Sequence, residues 1–298
     1  MPNTLVHVTV QSVSTKALWR EADFKWIALG CLVPDVPWIV QRVVLFSGIG
    51  VNRFDLVQYA TVQASFFFSL LLCAALALAA ADFRRIFLLL AGNSFLHLLL
   101  DAAQIKWANG VHFLAPVCWE YTNFGLIWPE HPLILALTAA GAVILVVLGM
   151  RDRRKTVVLT GAPGRYAAAV LLLLSYLALP VWLRAGPELA DNHYIATLRD
   201  RDARPGRYVE LDRSRFHAAD ATAELFSGER VKLKGPRPDR DTLVSIRGFF
   251  ADPTTIRVTE FHVHSRMRDL SSQVAVAGIA FLWLAALAGG KIIIGNRE

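Results

Sequence analysis

The sequence predicts an all-α polytopic membrane domain of about five to six transmembrane helices, one of them broken, carrying an inserted small all-β domain. Three observations lead there. The 298 residues are 55% hydrophobic and only 18% charged, with a mean hydropathy of +0.43, a balance that suits lipid better than water. Apolar runs at 60–81, 83–103, 131–150, 165–183 and 272–290 each approach the roughly 20 residues that cross a hydrocarbon core. Between the last two runs the composition turns polar and alternating. The chain thus divides into a helical membrane domain (1–183), a β-rich domain (184–270) and a C-terminal transmembrane helix with its tail (271–298).

In chain order, the start lacks the basic residues, apolar core and small-residue cleavage site of a signal peptide, so no cleavage is expected. Residues 24–46 form a broken span, because Pro34 and Pro37 bracket Asp35. Proline removes a backbone donor and disfavours helix in the residue before it. Asp35 then either faces a cavity or caps the half-helix that follows. The run at 60–81 reads as a plain crossing. In the next, NSFLHLLLDAAQ spaces Asn93, His97, Asp101 and Gln104 three and four apart, one polar stripe on a leucine-rich helix. An ionisable group within a membrane is costly unless paired or wetted, and so marks a site. His97 and Asp101, at i and i+4, either address one cation or hydrogen-bond to join two helices. Trp107, Trp119, Tyr121 and Trp128 follow, amphipathic rings suited to the outer water–lipid boundary.

Basic residues flank the apolar runs, as in DFRR (82–85) and RDRRK (151–155), so the net charge of +7 reads as membrane orientation and no nucleic acid is expected. With those loops in the cytoplasm, six spans place both termini inside a bacterial inner membrane, KIIIGNRE on the positive side and residues 184–270 outside. In the insert, RPGRYVELDRSRF, GERVKLKGPRPD, DTLVSIRGFF and TTIRVTEFHVHS alternate apolar and polar residues between Gly, Pro and Asp breaks. A small barrel or sandwich is expected, an oligonucleotide- or oligosaccharide-binding type of barrel among the candidates. His262 and His264 share a strand face, a spacing that binds metal or stays solvated. Cys31, Cys73 and Cys118 lack CxxC spacing and read as inert thiols.

The succession MPNTLVH, GCLVPD and HLLLDAAQIKWANGVHFLAP resembles, over roughly 1–132, the YdjM-like family of predicted bacterial membrane-bound metal-dependent hydrolases. That family orders an early histidine, a G-x-L-x-P-D-x-D element, an H-R-x-x-T-H-S element, and H-x-x-x-D followed by a glycine and a proline. His7, Asp35, His97, Asp101, Gly110 and Pro116 match it. Pro37 stands where the second aspartate belongs, and Gln58 and Gln63 in QYATVQAS fall where histidines belong. Glutamine is a poor zinc ligand. The resemblance therefore implies one divalent ion on His7, Asp35, His97 and Asp101, zinc first and manganese or iron next. Its further likeness to zinc-dependent phospholipase C and related nucleases implies phosphoester hydrolysis. Asp35 or Asp101 is the candidate general base. Gln58, Gln63, Asn93 and Gln104 either support the ligands from behind and line the substrate path, or bond helices together.

The expected function is a membrane-embedded metal-dependent hydrolase acting on a phosphoester or ester in or at the bilayer, among membrane lipids. The alternative is a catalytically degenerate scaffold whose β-domain binds an envelope partner or glycan. A transporter fits a broken helix, but no inverted repeat is visible. One conflict stands: six simple spans leave His7 at the inner end, while His97 and Asp101 lie toward the outer end. Convergence requires residues 6–17 to enter the membrane, or a first span that is no simple crossing.

Overall fold

The computed structural model describes residues 3–295; Met1 and Pro2 of MPNTLVH and the last three residues of KIIIGNRE lie outside the described residues. Five helices are long and apolar enough to cross a membrane, or six if one bent pair counts as a span. The chain opens with α1 (Thr4–Leu18), capped by the Asn3 side chain. Next come α2 (Phe24–Leu32), a 3-10 turn at Val33–Asp35, and α3 (Val36–Phe46), which together make one candidate span. The expected plain crossing at 60–81 is instead α4 (Arg53–Gln63) and α5 (Phe66–Ala79), bent by 67°. The bend has a local cause: Ser65 is extended, and the Phe66 N–H leaves the helix to donate to the His112 carbonyl at 3.2 Å. Three further spans are α6 (Phe83–Ala103), α7 (Pro132–Asp152) and α8 (Pro163–Leu183).

Hydropathy misses α1 as an element of the bundle, yet it sits at the centre, packed on α2, α6 and α7. Thr4, His7, Val8, Gln11 and Ser12 are buried. Protein rather than lipid surrounds the N-terminal half of this helix, where some of its polar side chains find partners. Thr9 Oγ1, for one, donates to the Leu137 carbonyl at 2.7 Å. Gly141 makes the fit possible, since a Cβ there would stand 2.1 Å from the Leu5 carbonyl oxygen. Small residues at such crossings let backbones approach. At the other end of α1, Lys16 pairs with buried Asp152 at 3.1 Å, at the end of α7.

Residues 184–199 are not β-structure, as the domain division had them, but α9 (Ala185–Leu189), a 3-10 turn and α10 (Ile195–Arg199). The barrel follows as β2 (Tyr208–His217), β3 (Thr222–Glu224), β4 (Arg230–Lys234), β5 (Thr242–Asp252) and β6 (Thr255–His264), after β1 (Val157–Leu159) in the α7–α8 connection. It is closed, in the order β2-β3-β4-β6-β5. Antiparallel pairing of β2 with β5 (Leu211↔Ile246) and parallel pairing of β4 with β6 (Leu233↔Ile256) complete the ring, the five-stranded Greek-key closure expected of an oligonucleotide- or oligosaccharide-binding type of barrel. Alternation drives it: in RVKLK, Val231 and Leu233 point into a core with Phe216, Val244, Ile246 and Phe250. The barrel returns the chain to α11 (Met267–Ala288), and β7 (Ile292–Ile294) then pairs in parallel with β1 at the opposite end of the bundle.

The aromatic loop after α6 does not simply line a lipid boundary, as expected. Trp107 is buried, the Arg247 guanidinium of β5 lies 4.4 Å over its ring, and Trp128 stacks on His262 of β6 at 3.7 Å. With the Ala108 N–H donating to Glu210 of β2 at 2.6 Å, this loop docks the barrel on the bundle. The bundle thus has a barrel end and a far end. Asn3 bonds Thr138 of α7 and the Thr4 N–H reaches Ser272 of α11, both near the barrel end, whereas α11 finishes at the far end. Asn3 and the end of α11 thus lie at opposite ends of the bundle, and His7 arrives beside Asp101.

Candidate metal centre

Three helices and one turn bring the matched residues to the barrel end of the bundle. Gly30 lets α2 close on α6, with room for no Cβ: one would stand 2.8 Å from Asn93 Cβ. That approach carries the Cys31 carbonyl to His97, whose Nδ1 donates to it at 2.7 Å. A donating Nδ1 leaves Nε2 as a lone pair, aimed at Asp35 Oδ1 (3.5 Å) and Asp101 Oδ1 (3.7 Å). The His7 ring stacks on His97 with centroids 3.9 Å apart, and its Nε2 lies 3.3 Å from the same Asp101 Oδ1.

Among the described residues, ligand atoms of His7, His97 and Asp101 lie within 4.8 Å of one another. His7 Nε2, His97 Nε2, Asp101 Oδ1 and Asp35 Oδ2 are all buried without a hydrogen-bond partner. Buried polar atoms are rarely left so, and each costs on the order of 1–3 kcal/mol. Three of them lie together, with Asp35 beside His97, and fit a cation. Lys106 Nζ lies 2.9 Å from Asp101 Oδ2, which leaves Asp101 Oδ1 without a hydrogen bond. Two imidazoles and a carboxylate are a donor set for zinc, iron or manganese.

Of the four expected ligands the structure groups three, and Asp35 adjoins them through His97. Asp35 does not cap α3 with its side chain. Pro37 occupies the position whose N–H a capping carboxylate takes, so that alternative falls away. A four-coordinate ion held by these three side chains would keep one position for water, as catalytic sites with three protein ligands do.

The glutamines and asparagine serve elsewhere. Gln58 Nε2 donates to Glu188 of α9 at 2.7 Å, and Gln63 Nε2 to the Tyr176 carbonyl of α8 at 3.1 Å. Asn93 accepts from Thr15 of α1 at 3.1 Å, and Gln104 ends α6. Among the described residues, none of these four side chains hydrogen-bonds to the side chain of His7, Asp35, His97 or Asp101. Gln58 and Gln63 therefore lock α4 to its neighbours rather than standing as altered ligands.

Sequence reasoning missed two participants, Lys106 and Gln11. Gln11, one turn beyond His7, bonds His7 Nδ1 at 3.4 Å and accepts from Cys31 Sγ at 2.9 Å. The amide nitrogen faces the ring; turning the amide over would let Gln11 accept from Nδ1–H and leave Nε2 free for an ion. The i, i+4 spacing was the available signal.

A cleft lined by Pro34, Trp38, Asp101, Lys106, His112 and His193 leads from the cluster toward the barrel. A neighbouring cavity shares Trp38 and His193 and reaches Glu210 and Asp212 of β2. His193 is held there by left-handed backbone at Asp191, His193 and Tyr194, a conformation that costs non-glycine residues energy and tends to gather at functional sites. Gly110 and Pro116, matched by the resemblance, belong to the same loop. A Cβ at Gly110 would stand 2.3 Å from the Tyr121 ring, and Ala115–Pro116 is cis. Comparison of the chain with family models, with curated proteins and with solved structures finds no match.

Proposed function

We propose that the protein is a membrane-embedded, metal-dependent hydrolase of a phosphoester or ester at the bilayer surface, in a bacterial inner membrane with its barrel on the extracytoplasmic side. The observation that carries this reading is the convergence of buried, unpartnered ligand-type atoms of His7, His97 and Asp101, with Asp35 beside His97, next to a cleft that Asp101 lines. His7, His97 and Asp101 are the ligands, zinc the first candidate. Such an ion supplies a Lewis-acidic charge and makes water acidic near neutral pH.

The chain's own groups do the rest. Asp35 keeps Oδ2 free of any hydrogen bond, which makes it the general base. Lys106 pairs with Asp101 Oδ2 at 2.9 Å and presents positive charge to the cleft, where an anionic phosphoryl group binds. The cleft lies between bundle and barrel, so a lipid-phase substrate reaches it without leaving the bilayer surface.

The test compares purified full-length protein with His97→Ala and Asp101→Asn by inductively coupled plasma mass spectrometry, and assays phosphoester and ester lipids in mixed micelles. One equivalent of ion and all hydrolysis should disappear together in both variants. Equal metal content in all three proteins overturns the site. An ion lost without any hydrolysis in the wild type overturns the enzyme and leaves the scaffold whose barrel binds an envelope partner.

A further inference from the structure

The HVHS stretch of β6 meets a carboxylate that lies 132 residues away from His262 in the sequence. Glu130, just before α7, reaches up to the barrel. Its Oε2 lies 3.1 Å from His262 Nε2 and its Oε1 3.0 Å from His264 Nδ1, and it accepts the Ser265 N–H at 3.3 Å. Alternation along a strand puts His262 and His264 on one face. All three ligand atoms fall within 4.8 Å of one another.

The hydrogen-bond count around His264 decides what stands between the two elements. The one hydroxyl hydrogen of Ser245 goes to Asp212 Oδ1 at 3.0 Å, while its oxygen accepts the Arg213 N–H at 3.1 Å. Its remaining lone pair faces His264 Nε2 at 2.8 Å, so Nε2 must carry the ring proton. A neutral His264 then turns a bare Nδ1 lone pair on a carboxylate oxygen at 3.0 Å, two acceptors with nothing to share. A positive charge has to lie between them, either a second ring proton or a metal ion.

We infer that Glu130, His262 and His264 form a second site, for a divalent first-row transition ion, which staples the barrel to the membrane bundle. The surroundings suit one. Ser245 and Asp212 fix the His264 ring from behind, as metal-bound histidines are commonly fixed. Trp128 holds the His262 ring by stacking. Imidazole with carboxylate favours zinc, cobalt, nickel or copper over calcium or magnesium. The site is independent of the bundle site and stands or falls without it.

Zinc itself is the probe. Full-length protein, stripped with chelator and reloaded with Zn2+, is compared with His262→Ala, His97→Ala and the double variant by elemental analysis and thermal unfolding. Each single variant should hold one equivalent less than the wild type, and the double variant none. Zn2+ should raise the unfolding temperature of His97→Ala but not that of the double variant. If His262→Ala binds as much zinc as the wild type, or the double variant as much as His97→Ala, the second site is refuted. If only His97→Ala matches the wild type, the bundle site fails and this one survives. Should His262→Ala not fold, Glu130→Gln, which keeps the side-chain shape but removes the carboxylate, gives the same reading.

Discussion

His112 shows what burial does to a single side chain at the cleft. It is buried, with Nδ1 unpartnered. Burial, helped by the nearby His193, brings its pKa to about 4 against the opposing pull of backbone bonds at Trp119 and Glu120. An unfolded histidine titrates near 6.5, so as pH falls the unfolded chain takes up this proton first. Stability is therefore full above about 6.5 and is lost as pH drops toward about 4, by on the order of 3 kcal/mol. Unfolding temperatures measured between those pH values should fall less steeply for His112→Gln than for the wild type. Parallel curves would mean that the ring is solvated or already charged in the folded state.

Among the elements, α1 matters most to the site because it alone carries His7 and Gln11. Its seat depends on Gly141, where an added methyl meets the backbone of Leu5, which has no room to move. Gly141→Ala should cost about 1–3 kcal/mol, as overpacking usually does, and weaken the bundle ion by displacing His7. Gly278→Ala, whose methyl meets only the flexible end of Leu145, serves as the milder control. Unchanged zinc content and unfolding temperature in Gly141→Ala would contradict this seating. The same helix shows what could be read from sequence. Long apolar helices and alternating strands were legible because lipid and barrel core impose plain periodicities. Helix α1 was not, since a helix wrapped in protein need not be apolar, and neither was the bend at Ser65, which depends on a bond to a distant loop. His97 and Asp101 stood out as charges in a leucine run. Lys106, Gln11 and Glu130 did not, because only the fold brings them to their partners.

In the whole molecule, the barrel roofs the cavity next to the cleft rather than hanging as an appendage. Trp107, Ala108 and Glu130 bind it to the loop that also supplies Lys106 and His112, so barrel position and site geometry are coupled. The central claim is that His7, His97 and Asp101 hold one ion beneath that roof. The most direct test is zinc K-edge X-ray absorption on the His262→Ala protein, where only the bundle site reports. Nitrogen and oxygen neighbours at about 2.0–2.1 Å, with scattering from two imidazoles that drops to one in the further variant His7→Ala, are the expected result. A sulfur neighbour at about 2.3 Å, an imidazole count indifferent to His7, or no bound ion would contradict it.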